Sequence, residues 1–341
     1  MGPVIYTVGM PKTPRPSAIT GVNLGGWLVL EKWITPGLFA GTKAIDEYTF
    51  CEQAGAAEKR RLKAFRDSFI TQADFTWLAE QGIQAVRLPV GYWMFGGYPP
   101  FAPTVRYVDN VFKWAQDTGM QVLLDLHGAP GSQNGRDHSG QQGRTAWHRQ
   151  PDAVVQTLQV ITKLAERYGD HPALLGFSLL NEPSPRIPKR LLLDYYTQAY
   201  RIIRGRCGDK PWIVYSDGYI PIRWRKELPA EQFKNVYIDT HQYRVFTPFD
   251  KLLPLGLTLR IASLRLPWSL RRLRHYHPVV VGEWSLALGK RAGPATQNRY
   301  AALQLAAYQA TDAWFFWTYR TEYGGPWSFR DCVAQFPKRL S

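Results

Sequence analysis

Residues 174–182 read LLGFSLLNE, an apolar run that ends abruptly in an amide and a carboxylate. Such a run predicts a strand at 174–181 that is buried on both faces, as in a parallel sheet covered by helices. Similar runs occupy 19–24, 85–90, 121–127, 212–216, 236–241, 279–283 and 313–318. The chain therefore carries eight candidate strands of one parallel sheet.

Longer segments with helical spacing of apolar residues lie between these runs, at 57–69, 74–81, 108–118, 151–168, 190–206 and 297–309. Strand and helix thus alternate along the chain, which is the pattern of a (β/α)8 barrel. A doubly wound open sheet shares the alternation but usually has a glycine-rich phosphate turn after its first strand, and NLGGW at 23–27 is not one. The sequence predicts a single (β/α)8 TIM barrel at 19–341, preceded by a proline-rich arm at 1–18.

Polar residues recur inside or at the ends of the predicted strands. The C-terminal ends of all eight strands of such a barrel open onto one face, where the active site forms. We therefore expect these residues to converge on one mouth: Arg87 in the second strand, His127 in the third, Asn181 and Glu182 in the fourth, His241 and Tyr243 in the sixth, Glu283 in the seventh and Trp317 in the eighth.

Two carboxylates at this mouth suit glycoside hydrolysis. One carboxyl group protonates the leaving oxygen while the other attacks the anomeric carbon, and retention requires the two groups to be about 5–5.5 Å apart. Glu182 and Glu283 are the candidates. We expect Arg87 to keep Glu283 ionised and Tyr243 to donate a hydrogen bond to it.

The remaining mouth residues have roles in this chemistry as well as ordinary structural explanations. Asn181 is placed to bind a sugar 2-hydroxyl, and Trp317 to form an apolar platform under the ring. His127 and His241 would line the pocket, although either could be a core histidine or, with a carboxylate, a metal ligand. Neither His127 nor His241 belongs to an HExxH or HxH motif, which speaks against a metal site.

Composition limits the other function classes. The formal charge is +15, yet the chain has no zinc-finger spacing, no RRM-like aromatic motif and no long basic tail, so we expect no nucleic-acid partner. Aromatic residues make up 14%, which suits both a core and a sugar cleft. Residues 1–20 lack the apolar core of a signal peptide, which leads us to expect a cytoplasmic protein unless a leader was removed. We also expect a monomer.

Several longer motifs together resemble glycoside hydrolase family 5, and most of all its exo-β-1,3-glucanase branch. They are GVNLGGWLVLE at 21–31, RLPVGYW at 87–93, DLHGAPGSQNG at 125–135, LNEP at 180–183, HQY at 241–243, GEW at 282–284 and FWT at 316–318. The resemblance implies a retaining mechanism with Glu182 as acid/base and Glu283 as nucleophile, and neither a cofactor nor a metal. It also implies that Glu31 and Asp137 bind the hydroxyls of a terminal glucose.

The resemblance therefore predicts an enzyme that releases glucose from the non-reducing end of β-glucans or β-glucosides. An endo-acting glucanase, a transglycosylase or a glycolipid-directed β-glucosidase of the same fold are the alternatives. A non-catalytic glycan-binding protein would require the loss of Glu182 or Glu283, and both are present.

Two features depart from that branch. Where the branch has an aromatic residue before the aspartate, this chain has Arg136, although Phe246, the other half of the clamp for the second sugar, remains. The linkage preference is therefore open. Residues 251–276 carry six basic residues and no acidic ones. This segment is either a barrel helix with solvated arginines or a surface that contacts an anionic membrane.

Overall fold

A computed structural model of the chain describes residues 17–336. The predicted arm at 1–18 lies outside the described residues except for its last two positions, and so do residues 337–341 of the predicted barrel domain. Within the described part, eight parallel strands close into a barrel in chain order, which confirms the predicted (β/α)8 fold. The strands are β1 Ile19–Asn23, β2 Ala85–Gly91, β3 Gln121–Gly128, β4 Leu174–Ser178, β5 Trp212–Ser216, β6 Val236–Arg244, β7 Val279–Leu288 and β8 Ala313–Phe316.

Helices surround the barrel, and none of those in residues 17–336 is long and apolar enough to cross a lipid bilayer. They are α1 Glu47–Gln53, α2 Ala56–Phe69, α3 Gln72–Glu80, α4 Val105–Thr118, α5 Pro151–Tyr168, α6 Lys189–Cys207, α7 Pro248–Leu252, α8 Leu255–Arg274, α9 Pro294–Tyr308 and α10 Phe329–Cys332. The alternation has one exception, because only a 3-10 turn at Pro221–Trp224 lies between β5 and β6. Proline at 221 and 229 disfavours a longer helix there.

The barrel interior is apolar at one end and polar at the other. Every strand contributes to one interior cluster, which includes Leu123 and Phe315. Gly21 makes room for this packing, since a Cβ atom there would lie 2.3 Å from the Phe315 ring. Because alternate side chains of a strand share a face, Asp125 and His127 follow Leu123 into the interior. The polar end is therefore the end at which the strands finish.

A buried ion pair holds the long connection between β1 and β2 over this polar end. Glu47 of α1 accepts hydrogen bonds from Arg66 of α2 at 2.6 Å, from the Leu30 backbone at 2.8 Å and from the Trp93 indole at 3.1 Å. Burial raises the pKa of Glu47, although Arg66 and these hydrogen bonds oppose the shift. Glu47 thus fixes the backbone at Leu30, and this buried carboxylate also positions the next residue, Glu31.

Replacing Arg66 by methionine is expected to destabilise the fold by about 3–5 kcal/mol, because Glu47 is left as a buried carboxylate without its counter-ion. Without Arg66 the pKa of Glu47 rises further above its value in the unfolded chain, so the loss is smaller at pH 5 than at pH 8. Urea denaturation at both pH values measures this. The control is Lys63→Met, which removes an exposed pair with Asp67 and should cost less than about 0.5 kcal/mol. Equal effects of the two substitutions would contradict this interpretation.

Candidate active site

Glu283 lies on β7 at the polar end of the barrel, and both of its carboxylate oxygens are occupied. Arg87 donates to Oε1 at 3.0 Å, and the Tyr243 hydroxyl donates to Oε2 at 2.8 Å. The side chain is almost completely buried. Two donors, one of which is a cation, therefore hold the carboxylate in one orientation.

Arg87 itself is completely buried and joins several strands at their ends. Its guanidinium donates to the side-chain oxygens of Asn23 and Asn181, each at 2.8 Å, and lies 3.0 Å from an oxygen of Asp125. Burial lowers the pKa of Arg87, but the charges of Asp125 and Glu283 outweigh burial and raise it. The arginine therefore stays charged and fixes the amide of Asn181.

Glu182 follows β4 with a left-handed backbone, at φ 43°. His241 Nδ1 lies 2.6 Å from its Oε1, and His138 Nε2 lies 3.4 Å from its Oε2. Burial raises the pKa of Glu182, but the hydrogen bond and charge of His241 outweigh burial and lower the pKa. The nearby Tyr219 also lowers the pKa of this carboxylate.

His241 lies among three carboxylates. Besides Glu182, Nδ1 lies 3.3 Å from Glu283 Oε2, and Nε2 lies 3.3 Å from Asp239. Burial lowers the pKa of His241, but the charges of Glu283 and Asp239 raise it well above the ordinary value. Its imidazole contacts both glutamates, and one ligand atom of each of the three residues lies within 4.8 Å of the others.

The cluster of Glu182, His241 and Glu283 could also be considered as a metal site, since each offers one ligand atom. Ligands about 2.0 Å from a tetrahedral zinc ion are separated by about 3.3 Å. The 2.6 Å between His241 Nδ1 and Glu182 Oε1 is instead the length of a charge-assisted hydrogen bond. The geometry thus favours a proton shared within this pair over a shared metal ion.

His127 links this group to the aromatic platform. Its Nδ1 donates to Asp125 at 2.6 Å, so Nε2 is left to accept from the Asn181 amide at 3.3 Å. The imidazole stacks on Trp317, with centroids 5.5 Å apart and planes 9° apart. Gly25 leaves the space for this indole, because a Cβ atom there would lie 2.7 Å from the Trp317 ring.

Glu31 is buried beside the mouth with one oxygen satisfied and the other free. The indole of Trp33 donates to Oε2 at 2.9 Å, whereas Oε1 has no hydrogen-bond partner among residues 17–336. Burial and the nearby charge of Asp137 raise the pKa of Glu31 well above its ordinary value. A buried acceptor without a partner is costly unless a ligand supplies the donor. A sugar hydroxyl is such a donor.

Aromatic rings form the rim of the mouth. Phe246 is 64% exposed and packs against Trp327, with ring centroids 5.9 Å apart. Trp327 also contacts Tyr243 and Trp33, at 5.4 Å and 5.3 Å between centroids. Arg136 is exposed in the loop that carries Asp137. The rim therefore offers flat apolar surface, and the loop after β3 adds an exposed cation at the same end of the barrel.

The fold and these residues agree with a comparison against protein families. The model described as cellulase (glycosyl hydrolase family 5) matches residues 50–322. The chain belongs to glycosyl hydrolase family 5.

Proteins similar in sequence to this chain support the family assignment over nearly its whole length. A probable glucan 1,3-beta-glucosidase A of Aspergillus niger is 35% identical, with 93% of this chain and 86% of the relative covered. The protein of the same name from Aspergillus fumigatus is 34% identical, with 95% and 88% covered. The crystal structure of rutinosidase from Aspergillus niger has the same fold, with a TM-score of 0.81, 21% identity and coverage of 95% and 98%.

Several residues of this family 5 site were not among the residues predicted from the sequence. Asp125 and Asp239 each lie two residues before a predicted histidine, a spacing that places both side chains on one face of a strand. Asn23 is the last residue of β1, so the rule that polar residues at strand ends face the mouth would have found it. Tyr219 and Trp327 lie in loops after β5 and β8, and no periodicity indicates them.

We expect His241 to keep both ring nitrogens protonated at pH 7, because three carboxylates surround its imidazole. Nitrogen-15 NMR of histidine-labelled protein between pH 5 and 10 measures this, and the spectrum of His241→Asn assigns the signal. His171 serves as the internal control, since burial lowers its pKa. A His241 imidazole that loses its second proton below pH 6.5 would refute the proposed ion pair.

Proposed function

We propose that this chain is a retaining, exo-acting β-glucosidase that removes glucose from the non-reducing ends of β-1,3-linked glucans. The observation that carries the proposal is the difference between the hydrogen-bond partners of its two glutamates. Glu283 is held by Arg87 and Tyr243, which cannot transfer a proton to it readily. Glu182 is hydrogen-bonded to His241 Nδ1 at 2.6 Å, a group that can transfer a proton, whereas the same nitrogen lies 3.3 Å from Glu283.

Glu283 is the nucleophile in this proposal. Its ionised oxygen attacks the anomeric carbon and forms a glycosyl-enzyme intermediate, while the leaving oxygen takes a proton from Glu182. One oxygen of each carboxyl group lies within 4.8 Å of the other, which fits the short separation of retaining enzymes better than the longer separation of inverting ones. Water then enters on the side of Glu182, which acts as the base, and cleaves the intermediate.

The proton for the first step is stored on the Glu182–His241 pair. In the free enzyme it resides on Nδ1 of the imidazole, 2.6 Å from the carboxylate. Its transfer to Glu182 gives a neutral imidazole and a carboxylic acid without any change in the net charge of the site. As the charge of Glu283 is consumed by bond formation, the imidazolium loses one of the anions that stabilise it, and the transfer to Glu182 becomes easier.

Asn181 is positioned to strengthen this transition state. Its oxygen is committed to Arg87, and one amide hydrogen is directed at His127. The other amide hydrogen remains for the 2-hydroxyl of the reacting sugar, a contact that strengthens as the ring becomes oxocarbenium-like. The Trp317 ring supplies an apolar surface for the sugar face.

We base exo action on two carboxylates beside the mouth, Glu31 and Asp137, whose charges are close enough to interact. In this proposal the two residues bind the remaining hydroxyls of a terminal glucose, one of which donates to the unpartnered oxygen of Glu31. The β-1,3 linkage is proposed from the relatives that are called probable glucan 1,3-beta-glucosidases. Arg136 replaces an aromatic residue of the clamp for the second sugar. We therefore expect this chain to differ from these relatives in how it binds the second sugar.

The two glutamates are distinguished by leaving-group dependence. Glu283→Gln is expected to lower kcat/KM at least about a thousandfold on every substrate, because no nucleophile remains. Glu182→Gln is expected to lower kcat/KM about 100- to 10,000-fold on laminaribiose but only slightly on dinitrophenyl glucoside, whose leaving group needs no proton. Glu227→Gln, which changes a surface partner of Lys189, serves as the control. Near wild-type turnover of laminaribiose by either active-site variant would sink the assignment.

Laminarin digestion tests the exo assignment. We expect glucose as the only early product, and chromatography of the products over time measures this. A ladder of oligosaccharides would indicate an endo-glucanase instead, and products longer than the substrate would indicate a transglycosylase.

Glu31→Gln tests the binding of the terminal glucose. It should lower kcat/KM about 10- to 100-fold because a charged acceptor for a glucose hydroxyl is lost, and initial rates on laminarin measure this.

A further inference from the structure

The outer side of α7 and α8 carries large apolar side chains that contact solvent. We call it the α7–α8 surface, and it comprises Phe249, Leu252, Leu257, Leu264 and Trp268 together with the arginines beside them. Leu252 is 77% exposed, Leu264 66% and Trp268 59%. Single exposed apolar residues are normal on a soluble protein, but a contiguous group of this kind marks a contact site.

Helix α8 is apolar on two opposite faces. One face packs on the barrel through Thr258, Leu259, Ala262, Leu266, Leu270 and Leu273, which are all buried. Leu257, Leu264 and Trp268 follow one another at seven and four residues, so they share a second stripe on the other side of the helix. The burial of the first face explains why α8 folds, and it leaves the second stripe without a structural purpose.

Arginines border this second stripe on both sides. At 3.6 residues per turn, Arg260 and Arg271 fall along one edge, and Arg265 and Arg272 along the other. All four are exposed, and none has a carboxylate partner among residues 17–336. The residues from 251 to 276 include no Asp or Glu. The surface is therefore both apolar and positively charged.

We propose that the α7–α8 surface docks on an anionic lipid bilayer, with the apolar stripe at the level of the upper acyl chains and the arginines among the headgroups. This distribution of leucine, tryptophan and arginine is the one that interfacial helices use. A second copy of the chain would bring the same arginines against each other without acidic partners. A soluble polyanion would satisfy the charge but would leave the stripe in water.

The α7–α8 surface begins next to the rim of the active-site mouth. Helix α7 begins two residues after Phe246, which lies on the rim of the mouth. The exposed residues Phe249 and Leu252 continue from that rim towards α8. A chain docked in this way presents its rim to the bilayer, so glycans attached or adsorbed to a membrane would be the accessible substrates.

Vesicle flotation of the full chain tests this proposal. We expect the chain to float with vesicles of phosphatidylglycerol and phosphatidylcholine at low salt, to float about tenfold less at high salt, and not to float with phosphatidylcholine alone. The Leu264→Ser/Trp268→Ser variant should lower the bound fraction at least about fivefold, because the apolar contact is lost. Its hydrolysis of an aryl glucoside should be unchanged, since neither residue belongs to the catalytic site.

Charge variants provide the matched comparison. Arg260→Glu/Arg265→Glu should lower flotation at least about tenfold. Lys59→Glu/Arg60→Glu on α2 changes the net charge equally, at exposed positions three strands around the barrel, and should leave flotation close to that of the unchanged chain. Failure to float with phosphatidylglycerol vesicles at low salt would overturn the proposal. Equal losses in both charge variants, or a dimer that Leu264→Ser/Trp268→Ser dissolves, would also overturn it.

Discussion

The polar end of the barrel depends on one buried cation, the guanidinium of Arg87. A charge this far from water is tolerated only when opposite charges and acceptors surround it. Its partners are two amides and two carboxylates from four different parts of the barrel. They are Asn23 of β1, Asp125 of β3, Asn181 after β4 and Glu283 of β7. These partners are mostly short side chains, so they reach the arginine only if the strands keep their register. The site around Arg87 can therefore assemble only when the barrel closes with the strands in this register.

A second constraint is the need to keep two neighbouring carboxyl groups different. The simplest expectation is a proton on the acid itself, with its pKa raised by burial. In this structure the hydrogen bond and charge of His241 instead lower the pKa of Glu182, while the surrounding carboxylates raise the pKa of His241. The pair then titrates as a unit, with macroscopic pKa values that belong to both residues. Glu283 has different hydrogen-bond donors, which are Tyr243 and Arg87.

The fold and much of the site could be predicted from the sequence because strands of a parallel barrel are nearly all apolar, so a polar residue at a strand end stands out. Asp125 and Asp239 were missed because they lie inside strands, where only the period of two reveals them. Tyr219 and Trp327 come from irregular loops, whose positions depend on tertiary contacts. The exposed stripe of α8 was also not predictable in detail, since leucine spacing alone does not say which leucines face the barrel.

The free oxygen of Glu31 makes occupancy of the pocket and protonation of the enzyme interdependent. In the empty site burial favours the neutral carboxylic acid. A sugar hydroxyl that donates to Oε1 favours the anion, so such a ligand expels a proton as it binds. By linkage, the affinity for a terminal glucose rises with pH until Glu31 is already ionised in the empty enzyme, and binding heats then vary with the ionisation enthalpy of the buffer. The protein would thus report occupation of its pocket as a change in the acidity of its surroundings.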